Sequence, residues 1–176
     1  MAIAAGTYEL GPDTGTLSVR TARTGAAAKA GHDLLMHVTA WKGILEVGEE
    51  TSLALDADAT SLRVREGTGG MQKLGEDDIA NIHETIDKEV LKKQAIAFRS
   101  SRVTAGEDGA LHVEGDLTIR GSSAPVAFDV TVDESGRIAG RAVLKQSDWK
   151  IKQYSILFGA LKVADEVEIE VDGQSR

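Results

Sequence analysis

Cysteine is absent from this chain of 176 residues. That removes disulfides, thiolate nucleophiles, Cys-based zinc sites and iron–sulfur clusters together. Proline occurs twice, and the aromatics are three Phe, two Trp and two Tyr. No run approaches the roughly 18 consecutive apolar residues that a membrane-crossing helix needs. The opening Met1-Ala2-Ile3-Ala4-Ala5-Gly6-Thr7-Tyr8 has neither the positive start nor the long apolar stretch of a signal peptide. A cytoplasmic location is therefore the expectation, with export the alternative if a leader has been trimmed. An excess of basic charge is also missing: 28 acidic residues stand against 20 basic ones, a net charge of −8. Duplex binding needs clustered Lys and Arg to displace counterions, so nucleic acid is not expected as a partner. The same charge resists an anionic membrane surface unless a local basic patch overrides it, and stable membrane insertion is not expected.

What is present fits an ordinary globular balance, with 41% hydrophobic and 27% charged residues. The length suits a single domain over residues 1–176. The 19 glycines point to many turns. Apolar and polar residues alternate in Thr16-Leu17-Ser18-Val19-Arg20, the mark of a half-buried strand. From Leu34 to Val47 both phases are apolar, which reads as two consecutive strand segments or one long strand changing face. Gly43 inside it is a place for a bend or bulge. Thr51 to Arg65 alternates through Leu53, Leu55, Ala57 and Ala59. Leu62 and Val64 fall on the other phase, so a bulge near Thr60-Ser61 is expected.

After Glu66-Gly67-Thr68-Gly69-Gly70 the period changes. Ile79, Ile82, Ile86 and Val90 mark one face of an amphipathic helix over about Asp77 to Lys92. Glu76, Asp77 and Asp78 at its start, and Lys92 and Lys93 at its end, match the helix dipole. Strands then resume over Ala95–Thr104, Leu111–Arg120, Pro125–Val132, Ile138–Lys145 and Val167–Val171. Glu107-Asp108-Gly109, Gly121-Ser122-Ser123 and Asp133-Glu134-Ser135-Gly136 lie between them as turns or loops. About eight strands joined by short turns must be antiparallel. They close into a barrel, which removes both edges, or stack as a sandwich. The barrel is preferred, giving an all-β, antiparallel eight-stranded fold with one helical excursion.

Candidate chemistry is sparse. His32-Asp33 suggests an acid–base pair, with His37 five residues on, but an odd spacing on a strand sends the two rings to opposite faces. His83-Glu84-Thr85-Ile86-Asp87 offers one His and one carboxylate at i,i+4, better read as a solvated helix face than a metal site. The Gly-rich Glu66–Gly70 segment lacks the Lys-Ser/Thr ending of a phosphate loop and precedes three carboxylates, so it reads as a connector. His112, Glu114 and Asp116 share the polar phase of one strand, a common exposed pattern. Neither a catalytic set, a metal site nor a cofactor is expected. An eight-stranded barrel is just wide enough to be filled by side chains or to hold one small ligand. Composition leaves the hollow lumen and the solid core equally open.

Asp116-Leu117-Thr118-Ile119-Arg120-Gly121 followed by Pro125-Val126-Ala127-Phe128 resembles the strand–loop–strand motif of the YceI-like family. So do Ser147-Asp148-Trp149-Lys150-Ile151, Lys162-Val163-Ala164-Asp165-Glu166-Val167-Glu168-Ile169, Tyr8-Glu9-Leu10-Gly11-Pro12 and Ala97-Phe98-Arg99-Ser100-Ser101. The resemblance implies a lipocalin-like barrel whose lumen binds a polyisoprenoid or fatty-acyl chain. It also implies a homodimer in many members, and export to the periplasm in many. Family members commonly carry Phe-Phe-Asp and a Pro before the strand holding Phe98, where this chain has Thr85-Ile86-Asp87 and Gln94. Its Gly31-His32-Asp33-Leu34 segment resembles a cytoplasmic-looking subset. The expectation is a non-catalytic carrier or store. Leu53, Leu55, Phe98, Leu117, Ile119, Phe128 and Val130 would form its apolar wall, Trp41 and Trp149 would stand at its mouth or end, and the helix would cap or gate an opening. The competing readings are a structural or stress-response dimer with a solid core, and an enzyme using His32 and Asp33 in the cavity.

Overall fold

The computed structural model describes residues 3–107 and 109–175; Asp108, part of one expected turn, lies outside them, as do Met1 and Ala2. The strands of the first half are β1 (Gly6–Leu10), β2 (Gly15–Thr21), β3 (Arg23–Thr24), β4 (Asp33–Val38), β5 (Trp41–Val47), β6 (Ser52–Ala57) and β7 (Leu62–Thr68). The second half adds β8 (Ile96–Ala105), β9 (Ala110–Ile119), β10 (Ser122–Val132), β11 (Arg137–Lys145), β12 (Ser155–Ile156), β13 (Leu161–Val163) and β14 (Glu166–Gln174). Eleven of them make one antiparallel sheet in the order β1-β5-β6-β8-β9-β10-β11-β14-β2-β4-β7. β12, β13 and β3 form a separate small sheet.

The expected count of eight is thus corrected to eleven, and the expected closed barrel to a curled half-barrel whose end strands, β1 and β7, do not pair. One extra strand is Gly6–Leu10, which the expected count leaves out although Tyr8 and Leu10 alternate with Thr7 and Glu9. The other two come from stretches that each contain a corner. Leu34–Val47 divides into β4 and β5 at Thr39 and Ala40, and Thr51–Arg65 divides into β6 and β7. At Thr60-Ser61 there is no bulge but a 3-10 turn over Ala59–Ser61, capped by the Asp58 carboxylate, which accepts from the Thr60 N–H at 2.8 Å. Gly43 sits in regular register with Leu10 and Leu55, without a bend.

Three corners explain the curl. The connections β1→β2, β4→β5 and β6→β7 each carry the chain from one end of the sheet order toward the other. Covalent corners thereby do what a closing strand pair would do. Ser61, 6% exposed, ties two of them together. Its hydroxyl donates to the Asp58 carbonyl at 2.7 Å and accepts from the Ala40 N–H at 3.0 Å. The Thr39 N–H reaches the Ser61 carbonyl at 3.0 Å. A buried hydroxyl with these partners avoids the penalty of an unsatisfied polar group.

The β9–β10 hairpin turns on Arg120 and Gly121, both left-handed (φ 53° and 75°), as a two-residue hairpin turn demands. Ser122 and Ser123, expected in a loop, already belong to β10. Pro125 is tolerated inside that strand because β10 meets β11 only from Asp129 onward, leaving one flank free at Pro125. Opposite, β8 bulges between Ser100 and Arg102, where Gly115 of β9 comes so close that a Cβ would collide with the Arg99 carbonyl.

The helix α1 (Glu76–Thr85) has its start fixed by the Asp78 carboxylate, which accepts from the Gly75 N–H at 2.9 Å. It continues as one π turn, Ile86–Val90, rather than as α-helix to Lys92. Ile79, Ile82, Ile86 and Val90 are half-buried; none is fully covered, so the helix rests on the half-barrel rather than inside it. None of the described helices is long and apolar enough to cross a membrane.

A two-chamber apolar cavity as the candidate ligand site

Period-two alternation sends one side chain in two of β2, β5, β6, β9, β10 and β14 to the concave face. Those side chains do not meet in the middle. They surround an inner chamber of about 200 Å³ and an outer one of about 760 Å³, of which the outer lies within the size range of small-molecule sites. Val19, Val38, Ile96, Ile119, Leu144 and Ile169 line both, so the chambers share a junction.

Leu53, Leu55, Phe98, Leu117, Ile119, Phe128 and Val130, expected as apolar wall, all line the inner chamber. Phe98 and Phe128 stack at a tilt of 57° with centroids 5.4 Å apart, closing one side of it. Trp41 also lines this chamber and Trp149 lines the outer one, but neither stands at a wet mouth: they are 7% and 2% exposed. The Trp149 indole N–H has its partner indoors, donating to the Leu117 carbonyl at 2.6 Å. The Trp41 N–H is buried with no acceptor among the described residues.

The outer chamber has walls that periodicity did not reveal. The loop bearing Met71 to Leu74, the inner side of α1 (Asn81, Ile82, Thr85), and Tyr154, Leu161 and Val163 complete it. β12 and β13 are only two and three residues long, too short to display a period of two.

The titratable groups near this chamber act as fasteners. The His32 Nε2–H donates to the Gln72 carbonyl at 2.7 Å, pinning the Met71–Leu74 loop. The Asp33 carboxylate instead accepts from the Arg23 N–H at 2.9 Å. The two side chains thus serve different partners, and no acid–base pair is assembled between them. His37, which burial and the charges of Arg65 and Arg20 hold below its ordinary value, is in register with Ser18 and Arg63 beside inward-facing Met36. His112 pairs across the ladder with Asp129 at 2.8 Å on an exposed face, and no group of three metal-ligating side chains exists among the described residues.

From the sequence, His83 is expected on a solvated helix face, beside Asp87 at i,i+4. It turns instead toward the sheet, where its Nε2 accepts from the Val64 N–H of β7 at 3.1 Å. Burial, then the nearby Arg63 charge, holds its pKa below the ordinary 6.5. The folded chain therefore binds fewer protons here than the unfolded chain, so this contact's contribution is complete above 6.5 and is lost as pH falls through the lowered value. Amide protection factors of Val64 and of residues 79–90 are expected to fall on acidification through this window. In H83Q, whose amide oxygen accepts at any pH, that fall should vanish; an unchanged fall would assign it elsewhere, His37 first.

Comparison with known proteins gives one consistent result. The family model for the YceI-like domain matches residues 8–175. The crystal structure of BcnA from Burkholderia cenocepacia superposes with a TM-score of 0.66 at 17% identity, covering 90% of this chain and 94% of that one. The Campylobacter jejuni YCEI protein gives 0.50 at 13% identity, over 79% and 84% of the two chains. A mutant of it gives 0.52 over the same shares. No curated protein matches.

Proposed function

This chain belongs to the YceI-like family, and on that premise we propose that it binds a long-chain hydrophobic ligand, of polyisoprenoid or fatty-acyl type, as a non-catalytic carrier or store. The observation that carries this reading is the pair of joined chambers, whose inner member is walled almost wholly by aliphatic and aromatic side chains. Each methylene moved from water into such a wall contributes about 0.8 kcal/mol, so a chain threading both chambers needs no charged anchor. Void space at the centre of the sheet also weighs against a solid structural core. The separate engagements of His32 and Asp33 remove the main support for an enzyme reading.

Protein isolated from its host, extracted with organic solvent and analysed by mass spectrometry, should release one dominant apolar compound. The extracted protein should then take up an apolar fluorescent dye at one displaceable site per chain. An empty extract together with no dye uptake would overturn the reading.

A further inference from the structure

Among the described residues, five large hydrophobic side chains are exposed, and four of them gather around the outer chamber: Met71, Ile156, Leu157 and Phe158. Met71 and Ile156 contribute to its wall, while Leu157 and Phe158 follow directly and point to solvent, Phe158 completely. Both hold left-handed backbone conformations (φ 53° and 55°), which side chains other than glycine rarely adopt. A turn with that cost, spent on presenting Leu and Phe outward, calls for a function.

On the small-sheet side of this rim the charge is opposite to that of the chain, whereas Asp58 and Asp78 line the chamber elsewhere. Residues 150–162 carry Lys150, Lys152 and Lys162 and no carboxylate; residues 14–32 carry Arg20, Arg23 and Lys29 and no carboxylate. The small sheet brings the two segments together, since β13 pairs with β12 on one side and β3 on the other. Lys162 lies across from Ser155, its stem beside Gly159 of the exposed turn. Lys29 sits in the short helical turn that packs on β13. Arg23 is held by Asp33, and Arg20 faces Glu168 across the ladder. Lys29, Lys150, Lys152 and Lys162 have no ion-pair partner among the described residues. An apolar tip flanked by free lysines, on a molecule whose net charge is −8, is a local exception that needs a local cause.

We infer that this rim docks on an anionic lipid bilayer, with Phe158 and Leu157 entering the acyl boundary and the lysines meeting the headgroups. The inference rests on the carrier reading for its purpose: a hydrophobic ligand would pass between bilayer and outer chamber without crossing water. The apolar tip adjoins the chamber wall at Ile156, so the two apolar surfaces are continuous.

The test is co-sedimentation of the full chain with phosphatidylcholine vesicles, with and without phosphatidylglycerol. Binding should require the anionic lipid and weaken with salt. F158S should reduce it about tenfold through lost apolar burial. K162Q should reduce it about fivefold, as expected for one lysine near a charged surface. F158S removes only an exposed side chain, so it should melt as the wild type does and keep dye uptake in solution. Absence of sedimentation with either vesicle, or undiminished binding by F158S, would overturn the docking surface while leaving the lumen intact. A wild-type dimer that F158S dissolves, without vesicle binding, would overturn it in favour of a second copy of this chain. Loss of dye uptake by the wild type would instead count against the carrier reading.

Discussion

Trp149→Ala is expected to lower the unfolding free energy by about 3–5 kcal/mol, the range for truncating a large buried aromatic. The indole is 2% exposed and sits at the centre of a cluster with Ala124, Leu144 and Ile151, against which Ile119, Val126 and Ile169 pack. It ends the 3-10 turn Gln146–Trp149, after which Lys150 takes a left-handed conformation (φ 61°) that turns the chain away. That turn is itself clamped, because the Asp165 carboxylate accepts from the Ser147 N–H at 2.8 Å and from its hydroxyl. The surroundings are thus poorly able to collapse into the space left, which places the cost toward the upper part of the range. Trp149→Phe keeps much of the packing but abandons the Leu117 carbonyl, and should cost nearer 1–2 kcal/mol. Urea unfolding at constant m-value would measure both. A loss below about 1 kcal/mol for the alanine variant would mean that the cluster does not support the wall of the outer chamber.

The features legible in the sequence are those set by neighbours along the chain. Alternation in β9 and β10 showed directly which of Leu117, Ile119, Phe128 and Val130 share the concave face. The three-four-four spacing of Ile79, Ile82, Ile86 and Val90 showed the covering face of the helix, although not its lapse into a π turn. Features decided by distant residues were not legible. The corner at Asp58–Ser61 imitates a bulge, since both shift the apolar phase by one residue. Only the partners, Thr39 and Ala40 some twenty positions earlier, make it a crossing of the sheet. His83 offered Asp87 as its obvious neighbour, yet a free N–H on the edge strand β7 claimed it. The depth of Trp149 is not legible locally, because its acceptor is a carbonyl on another strand. The outer chamber was missed for the same reason: its loop, helix and small-sheet walls come from segments with no shared local pattern.

Blocking the junction should separate the two chambers by function. Ile119 lines both, and its position is fixed by the hairpin, where it pairs with Ser122 beside the Arg120-Gly121 turn. In Ile119→Trp the larger side chain enters void space rather than packed atoms, so the stability cost should stay at or below the 1–3 kcal/mol typical of overpacking. Its effect on binding should depend on ligand length. A chain that reaches the inner chamber loses burial of about four methylenes, roughly 3 kcal/mol, which corresponds to on the order of a 100-fold rise in Kd. A short chain that occupies only the outer chamber should bind almost as before. Titrating a series of fatty acids of increasing length against the wild type and Ile119→Trp reads this directly. In the wild type affinity should rise with length until both chambers are filled, and in the variant it should level off at a shorter length. Parallel curves, with the same loss at every length, would mean that ligands do not pass the junction and that the inner chamber is a packing void behind a single outer site.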